Sequence, residues 1–337
     1  MRVAHPRVSI LLPVRDAAAT LPACLRSIAR QRLEDWECVV VDDGSRDGSA
    51  ALLREAAARD PRVRVLTRSR DGLVPALQAG LAACRGEAIA RMDADDCMHR
   101  DRLAAQLGAL ADDPKLAGVG CHVRLFPRAD LSDGRRGYES WLNGITSARS
   151  VRDEAFVECP IAHPSLVLRR EIALAFGYRN LDWPEDYDLV LRLLAGGHEL
   201  GMVPRRLLAW RDSAGRLSRT DPRYGLDRFT ACKAAFLAKG LLAAGSDYVL
   251  WGHGPTGRAL KKALAQHGKS PAAIVEVHPR RLGRTIAGAP VIAPEALPDW
   301  RALPLISAVS GPEPRRLIRE ALAPLGYRES IDFTCAA

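Results

Sequence analysis

The sequence predicts an α/β protein: a mostly parallel sheet flanked by helices, followed by a second, smaller α/β unit. Over the first hundred residues, short β-branched runs alternate with alanine-rich stretches of helical periodicity, the pattern of strands joined by crossover helices. Beyond about residue 240 a strand, a glycine-rich turn, a helix and another strand recur. The 337 residues are 47% hydrophobic and 26% charged, which fits a chain with a substantial core and no extended disorder.

Taken in order, strands are expected at 8–12, 37–41, 63–66 and 88–92, with helices at 18–30, 49–59 and 74–84 between them, where apolar residues fall at helical spacing. From 100 to about 210 the pattern is mixed, with helices expected at 101–111, 138–157 and 184–195. Residues 211–224 read as a mobile polar loop. A second strand-helix-strand signal covers 247–251, a helix reaching to 267, and 273–277. The domain boundary is therefore placed at 1–240 and 241–337.

Charge and cysteine usage narrow the function. The formal charge is +9, and between Arg205 and Lys233 eight Lys/Arg oppose three Asp for a local +5. Such a segment can meet the phosphates of a nucleotide or an anionic lipid, or simply face solvent. Few aromatics lie among these charges and no nucleic-acid motif appears, so nucleic acid is not expected as a partner. The eight cysteines are scattered without metal or redox spacing. They read as reduced thiols of a cytoplasmic protein. The run from Val8 to Val14 is too short for a bilayer span, so any membrane association is expected to be peripheral.

In open sheets of this kind ligands sit beyond the carboxyl ends of the strands. Three segments lie there: Pro13-Val14-Arg15-Asp16, Asp42-Asp43-Gly44-Ser45 and Asp93-Ala94-Asp95-Asp96. In an extended segment alternate side chains share a side, so Asp93 and Asp95 face a ligand while Ala94 packs away. Two hard carboxylates suit Mg2+ or Mn2+, which commonly binds one or two carboxylates together with substrate phosphates. Acidic turns also cap helices, and the Asp42-to-Ser45 stretch has the composition of a turn and cap.

These motifs together resemble the family 2 glycosyltransferases with a GT-A fold. The likeness covers about the first 235 residues. It rests on Val8-Ser9-Ile10-Leu11-Leu12-Pro13-Val14, Val39-Val40-Val41-Asp42-Asp43-Gly44-Ser45, Gly72-Leu73 with Ala76-Leu77-Gln78-Ala79-Gly80, and Met92-Asp93-Ala94-Asp95-Asp96. The resemblance implies that Pro13, Val14, Arg15 and Asp43 hold the nucleoside, that Asp93 lies near the ribose and metal with Ala94 among the nucleotide-binding residues, and that Asp95 is the principal metal ligand. It further implies inverting transfer from a nucleotide-diphosphate sugar, with UDP the expected nucleotide, to a glycan or lipid-linked acceptor in cell-surface glycan synthesis. Arg15-Asp16 stands where Tyr or Phe followed by Asn is frequent, and Gln78 where Asn is usual.

By the same resemblance Glu185 and Asp186, in Trp183-Pro184-Glu185-Asp186-Tyr187-Asp188, match an acid pair whose second member takes the acceptor's proton. The start of a helix favours ionised carboxylates, and ordinary dipole complementation explains the acids equally well. His163 falls where a similar motif lies beside the acceptor. Arg211, followed by Arg216, Ser218 and Arg219, matches a loop that closes over the diphosphate. The tail segment Gly252-His253-Gly254-Pro255-Thr256-Gly257, with Glu276 downstream, fits a dinucleotide fingerprint in the right strand-to-helix context. Residues 241–337 are too few for a complete dehydrogenase, so a small Rossmann-like accessory domain is expected, with Gly252, Gly254, Gly257 and Glu276 a possible second nucleotide site. Two other functions share parts of this pattern. A nucleotidyltransferase on sugar phosphates would need a glycine-rich basic loop where Pro13 to Asp16 stands, and a non-catalytic nucleotide-sugar sensor has no need of both Asp95 and Asp186.

Overall fold

The computed structural model describes residues 5–337, which divide into two compact units. The first takes the chain through Val151, then Ile161–Leu181 and Asp188–Arg216; the second takes Arg152–Pro160, Asp182–Tyr187 and Leu217–Ala337.

In the first unit the strands are β1 (Val8–Val14), β2 (Trp36–Asp42), β3 (Val63–Thr67), β4 (Ala88–Arg91), β5 (Cys97–Met98), β6 (Leu116–Phe126), β7 (Val167–Arg169) and β8 (Glu199–Arg211). They form one sheet in the order β3-β2-β1-β4-β7-β6-β8-β5. The β3-β2-β1-β4 half is parallel throughout. Every residue of β1 and β2 is buried, as expected of strands covered on both faces. β7 enters antiparallel to both β4 and β6, which makes the sheet mixed. The helices are α1 (Leu21–Ala29), α2 (Ser49–Arg59), α3 (Leu73–Ala83), α4 (Arg102–Asp112), α5 (Asp133–Gly144), α6 (Ala148–Glu154), α7 (Arg170–Phe176) and α8 (Glu185–Ala195). By sequence position α6 and α8 each pass from one unit into the other.

The first four strands and three helices lie where the sequence predicts them, to within three residues. The single helix expected at 138–157 is instead two. α5 starts at Asp133, with the Ser132 hydroxyl accepting from the Arg135 amide. It ends at Gly144, and α6 opens where Ser147 Oγ accepts from the Ser150 amide at 3.2 Å. A serine cap restarts the helix there.

The second unit continues with α9 (Leu217–Thr220), α10 (Leu226–Lys239), β9 (Asp247–Trp251), α11 (Pro255–Ala265), β10 (Ser270–Val275), β11 (Thr285–Ile286), β12 (Ala289–Ile292), β13 (Leu305–Ser307), α12 (Pro312–Leu322) and β14 (Phe333–Cys335). Its sheet runs β11-β12-β10-β9-β13-β14. One face packs Leu250, Ile274 and Ile306 against Leu260 and Leu264 of α11; the other packs Val249, Val275 and Leu305 against Ile318 and Leu322 of α12. The boundary expected near residue 240 falls elsewhere. Ala234 and Leu237 of α10 share the α11-side core, so this helix belongs to the second unit. Gly240, at the expected boundary, is the helix's C-cap. The polar stretch 211–224 is also more ordered than expected: Arg211 ends β8, α9 follows, and Pro222–Tyr224 forms a 3-10 turn capped by Asp221.

No helix is long and apolar enough to cross a membrane among the described residues. All eight cysteines are free thiols, seven of them buried.

Candidate functional site

In the first unit, the segments predicted to carry chemistry emerge from the carboxyl ends of β1, β2 and β4. Pro13 and Val14 are the last two residues of β1 rather than a loop, in register with Val41 and Asp42. The loop begins at Arg15. Asp16 takes a left-handed conformation (φ +49°), which Asp and Asn tolerate better than other side-chain-bearing residues. Its carboxylate accepts from the Arg46 amide at 2.7 Å and from Arg70 Nη2 at 2.9 Å. Asp in place of the more frequent Asn therefore preserves the backbone turn and adds an ion pair.

Asp42 and Asp43 are both tied down. Asp42 Oδ1 accepts from the Ser45 amide at 3.1 Å. Asp43 is buried, and its two oxygens accept from the amides of Asp71 (2.7 Å) and Gly72 (3.0 Å) at the entrance to α3. Arg15 Nη1 stands 3.7 Å from Asp43 Oδ2. The carboxylate thus fixes the β3-to-α3 loop against the end of β2 and has Arg15 as its partner on the open side.

The acid segment departs from the alternating geometry expected of it. β4 ends at Arg91, and residues 93–96 make a tight turn in which the Asp96 amide donates to the Asp93 carbonyl at 3.3 Å. Ala94 is buried, as expected, but the turn brings in a third acid. Carboxylate oxygens of Asp93, Asp95 and Asp96 lie within 4.8 Å of one another. Asp93 Oδ1 accepts from Arg91 Nη2 at 2.7 Å. Asp96 is 1% exposed; its Oδ1 accepts from the Arg211 amide at 2.7 Å, while its Oδ2 is buried without a partner among the described residues. Burial, and then the charge of Asp93, push the Asp95 carboxyl up. Burial, Asp93 and Asp95 push Asp96 well above the usual carboxylate range. Three carboxyls converging with one oxygen unsatisfied match the donor set of a hard divalent cation, so the residues fit such an ion.

Arg211 is built into this turn. Besides its amide, its Nε donates to the Asp95 carbonyl at 2.9 Å, and its guanidinium lies 4.5 Å over the Phe126 ring. Arg216 stacks 4.4 Å over Trp210. Beneath the turn, fully buried Arg102 donates from Nη2 to the Arg91 carbonyl at 2.9 Å and from Nε to Gln106 Oε1 at 2.9 Å, pinning the end of β4. His163 is buried, with its Nε2 2.9 Å from Tyr178 Oη. Burial, and next the charge of Arg91, hold its imidazole well below the ordinary histidine range, so it is neutral. Gln78, at the position where Asn is more usual, donates to the Tyr178 carbonyl at 2.8 Å.

Glu185 and Asp186 belong to the second unit. Glu185 is 2% exposed and its Oε2 accepts from Tyr224 Oη at 2.6 Å. Asp186 is half-buried, and its Oδ1 accepts from the Tyr187 amide at 2.8 Å. Burial, then the charge of Glu185, push the Asp186 carboxyl up to about 7. The neighbouring Tyr187 is locked by a 2.8 Å bond from its hydroxyl to the Ala155 carbonyl and by ring contact with Phe229. In the tail, Gly252 to Gly254 connect β9 to α11, Gly257 lies in the first turn of that helix, and Glu276 follows β10, where its Oε1 accepts from the His253 amide at 3.1 Å.

Sequence reasoning missed Asp96 as the third acid of the cluster, Arg91 as the partner of Asp93, and Tyr224 as the partner of Glu185. The doubled aspartate at 95 and 96 was the available signal for the first. The Tyr224 contact, 39 residues away in sequence, had none.

A family model described as Glycosyl transferase family 2 matches residues 9–173. The O-antigen biosynthesis protein RfbC of Myxococcus xanthus is 33% identical over 250 residues, 72% of this chain but only 18% of that protein. The amylovoran biosynthesis glycosyltransferase AmsE of Erwinia amylovora is 30% identical over 203 residues, 60% of this chain and 74% of that protein. Among solved structures, S. aureus TarS 1–349 in complex with UDP-GlcNAc superposes with a TM-score of 0.55 at 14% identity, covering 77% of this chain and 71% of TarS 1–349. The mannosyltransferase PcManGT from Pyrobaculum calidifontis in complex with GDP-Man and Mn2+ does so with a TM-score of 0.51 at 20% identity, covering 97% and 83%. At these identities the structural likeness shows the fold, which is of the GT-A type with a second sheet. The family-model match together with the match to most of AmsE shows that the chain belongs to glycosyl transferase family 2.

Proposed function

We propose that this protein is an inverting, divalent-cation-dependent glycosyltransferase that moves a sugar from a nucleoside-diphosphate sugar, with UDP the expected nucleotide, to an acceptor hydroxyl in cell-surface glycan assembly. The observation that carries this is the convergence of Asp93, Asp95 and Asp96 within 4.8 Å beyond β4, with Asp96 Oδ2 left without a partner among the described residues. Asp93, Asp95 and Asp96 would hold Mg2+ or Mn2+, which when bound offsets charge on the departing diphosphate. The names of RfbC and AmsE support a role in polysaccharide assembly, and the UDP-GlcNAc and GDP-Man complexes of TarS and PcManGT support a sugar-nucleotide donor.

The chain's own residues have the following roles in this reading. Arg15 and Asp43, with the backbone of Pro13 and Val14, position the nucleoside; Asp93 and Ala94 lie along its ribose. Arg211 rigidifies the acid turn and contributes positive charge on the diphosphate side. Asp186 accepts the proton of the acceptor hydroxyl as that oxygen attacks the anomeric carbon, and a single displacement inverts its configuration. Glu185, held by Tyr224, keeps a negative charge beside Asp186 and so strengthens it as a base. His163, neutral and bonded to Tyr178, shapes the acceptor side without taking a proton. A glycan or lipid-linked acceptor fits a chain whose basic segment can lie peripherally on an anionic cytoplasmic membrane surface.

The test is Asp186→Asn. Transfer should fall by roughly 10² to 10⁴, the usual contribution of a positioned base, while nucleotide binding is retained. A base with a pKa of about 7 gives a wild-type rate that rises about tenfold per pH unit below 7 and levels above it. The variant should lose that slope. Near-normal turnover in Asp186→Asn, or an unchanged pH profile, would overturn the assignment.

A further inference from the structure

The second unit contains a crevice that the transfer reaction does not use. Its strands run β12-β10-β9-β13-β14 in parallel, so chain order reverses between β9 and β13. In open α/β sheets, ligands bind outside the carboxyl ends of the strands at such a reversal. Two loops leave the sheet there, one from β9 into α11 and one from β13 into α12. They touch: a Cβ on Gly252 would stand 2.5 Å from Val309 Cγ2, and Thr256 Oγ1 lies 3.2 Å from Ser310 Oγ.

The three glycines of the first loop are there for different reasons. Gly252 has φ +92°, a conformation that side chains disfavour. A Cβ on Gly257 would lie 2.1 Å from the Gly252 carbonyl oxygen, so this glycine is required for the helix to pack on the strand. Neither reason applies to Gly254. Its φ of −73° and ψ of −169° suit any residue, and a Cβ there would meet nothing within 4 Å. What glycine secures at 254 is open space at the N-terminus of α11, which no side chain caps among the described residues. The first-turn amides of a helix lack intrahelical partners, and an open helix N-terminus is suited to a diphosphate.

A second observation points to a ligand. His253, between Gly252 and Gly254, is 9% exposed, and its Nε2 is buried without a partner among the described residues. The charges of Lys261, Arg258, Glu276 and Arg281 act on its imidazole. A buried ring nitrogen left unbonded is costly unless something else completes it. Beside it, Glu276 Oε1 accepts both from the His253 amide and from Arg281 Nη1 at 2.7 Å, which leaves Oε2 for a ligand hydroxyl. An acid at the end of this strand is where a ribose 2′-hydroxyl is bound in sheets of this topology.

We propose that this crevice is a second nucleotide site, additional to the acid turn at 93–96, taking the ribose and diphosphate of a ribonucleotide whose 2′-hydroxyl is free. Two sources share that chemistry, an adenine dinucleotide and a nucleoside-diphosphate sugar. The test uses the full-length chain carrying Asp95→Asn, in chelator, so that failure of the transfer mechanism does not affect the outcome. Calorimetric titration with NAD+, NADP+ and UDP-GlcNAc should give saturable binding of NAD+ or of UDP-GlcNAc, and the ligand whose binding the second-unit substitutions below weaken identifies the source, because the Arg15 and Asp43 nucleoside site does not contain those residues. NADP+, with its 2′-phosphate against Glu276, should bind at least tenfold more weakly than NAD+ if the dinucleotide is the ligand. Adding Gly254→Val should weaken binding at least tenfold at an unchanged melting midpoint, because a side chain fits there but occupies the diphosphate's space. Should Gly254→Val melt early, Glu276→Gln replaces it, with a three- to tenfold loss expected. Absence of saturable binding, or affinity unaltered by these substitutions, would overturn the proposal.

Discussion

Glu37, at the amino end of β2, and Asp96, beyond the carboxyl end of β4, are buried carboxylates of the same sheet with opposite electrostatic fates. Glu37 Oε1 accepts from Ser9 Oγ and the Arg85 amide, both at 2.6 Å, and Oε2 accepts from Arg64 at 2.7 Å and Arg85 at 2.9 Å. Burial alone would push its carboxyl up, but these bonds bring it down to about 2. At the other end burial is reinforced by neighbouring acids, and the amide of Arg211 with the charge of Arg216 opposes them only in part. One end of the sheet uses a buried acid to hold strands and loops together. The other concentrates three acids, of which Asp93 is paired with Arg91 while Asp95 and Asp96 have no ion pair among the described residues, at a cost in stability that a bound cation would offset.

Substitutions at the two ends should therefore separate activity from stability. The largest effect is expected for Asp95→Asn, which should reduce sugar transfer by roughly 10² to 10³, the scale of losing a preorganised electrostatic group. The same variant should unfold no more easily than wild type, because it removes one charge from a repulsive cluster. Turnover and thermal melting on one preparation check both halves. A clear destabilisation would mean that the acid turn is a structural device like Glu37.

Glu37→Gln should do the reverse. It strands Arg64 and Arg85 without their carboxylate and costs about 2 kcal/mol once screening by these partly exposed arginines is allowed for, with kcat unchanged. The sign with pH follows from the direction of the shift. A carboxyl held at about 2 when folded, against 4.5 unfolded, contributes its full stability above pH 4.5 and loses it as pH falls toward 2. Denaturant melts of wild type and Glu37→Gln should differ at pH 6 and converge at about pH 2. A constant difference across that range would assign the effect to packing instead.

The same contrast explains what could be read from the sequence. β1, β2 and β4 were legible because strands buried on both faces are continuous apolar runs, and Asp93 and Asp95 because carboxylates crowd a strand end. Asp96 was passed over because alternation assumes an extended segment, whereas the turn folds it back among its neighbours. β6 and β8 were lost for another reason. Gly118 and Gly120 in β6 look like breaks, yet they mark close approach: a Cβ on Gly118 would lie 2.4 Å from Leu168 Cδ2, and one on Gly120 2.8 Å from Ile161 Cγ2. In β8, Pro204-Arg205-Arg206 interrupts the apolar pattern at a stretch exposed to solvent. The Glu37 assembly was invisible as well, since Ser9 and Arg64 meet it only through the register of β1, β2 and β3, and Arg85 only through the turn after α3.

The most direct test of the contrast is the stability that a cation restores. Thermal unfolding of the metal-free protein is followed as Mn2+ is added, for wild type and for Asp95→Asn. If the acid turn is completed by a divalent ion, saturating Mn2+ should raise the wild-type midpoint by about 2 to 4 °C and leave the variant unmoved. No shift in wild type, or an equal shift in both proteins, would contradict the assignment of Asp93, Asp95 and Asp96 to a metal-assisted donor site.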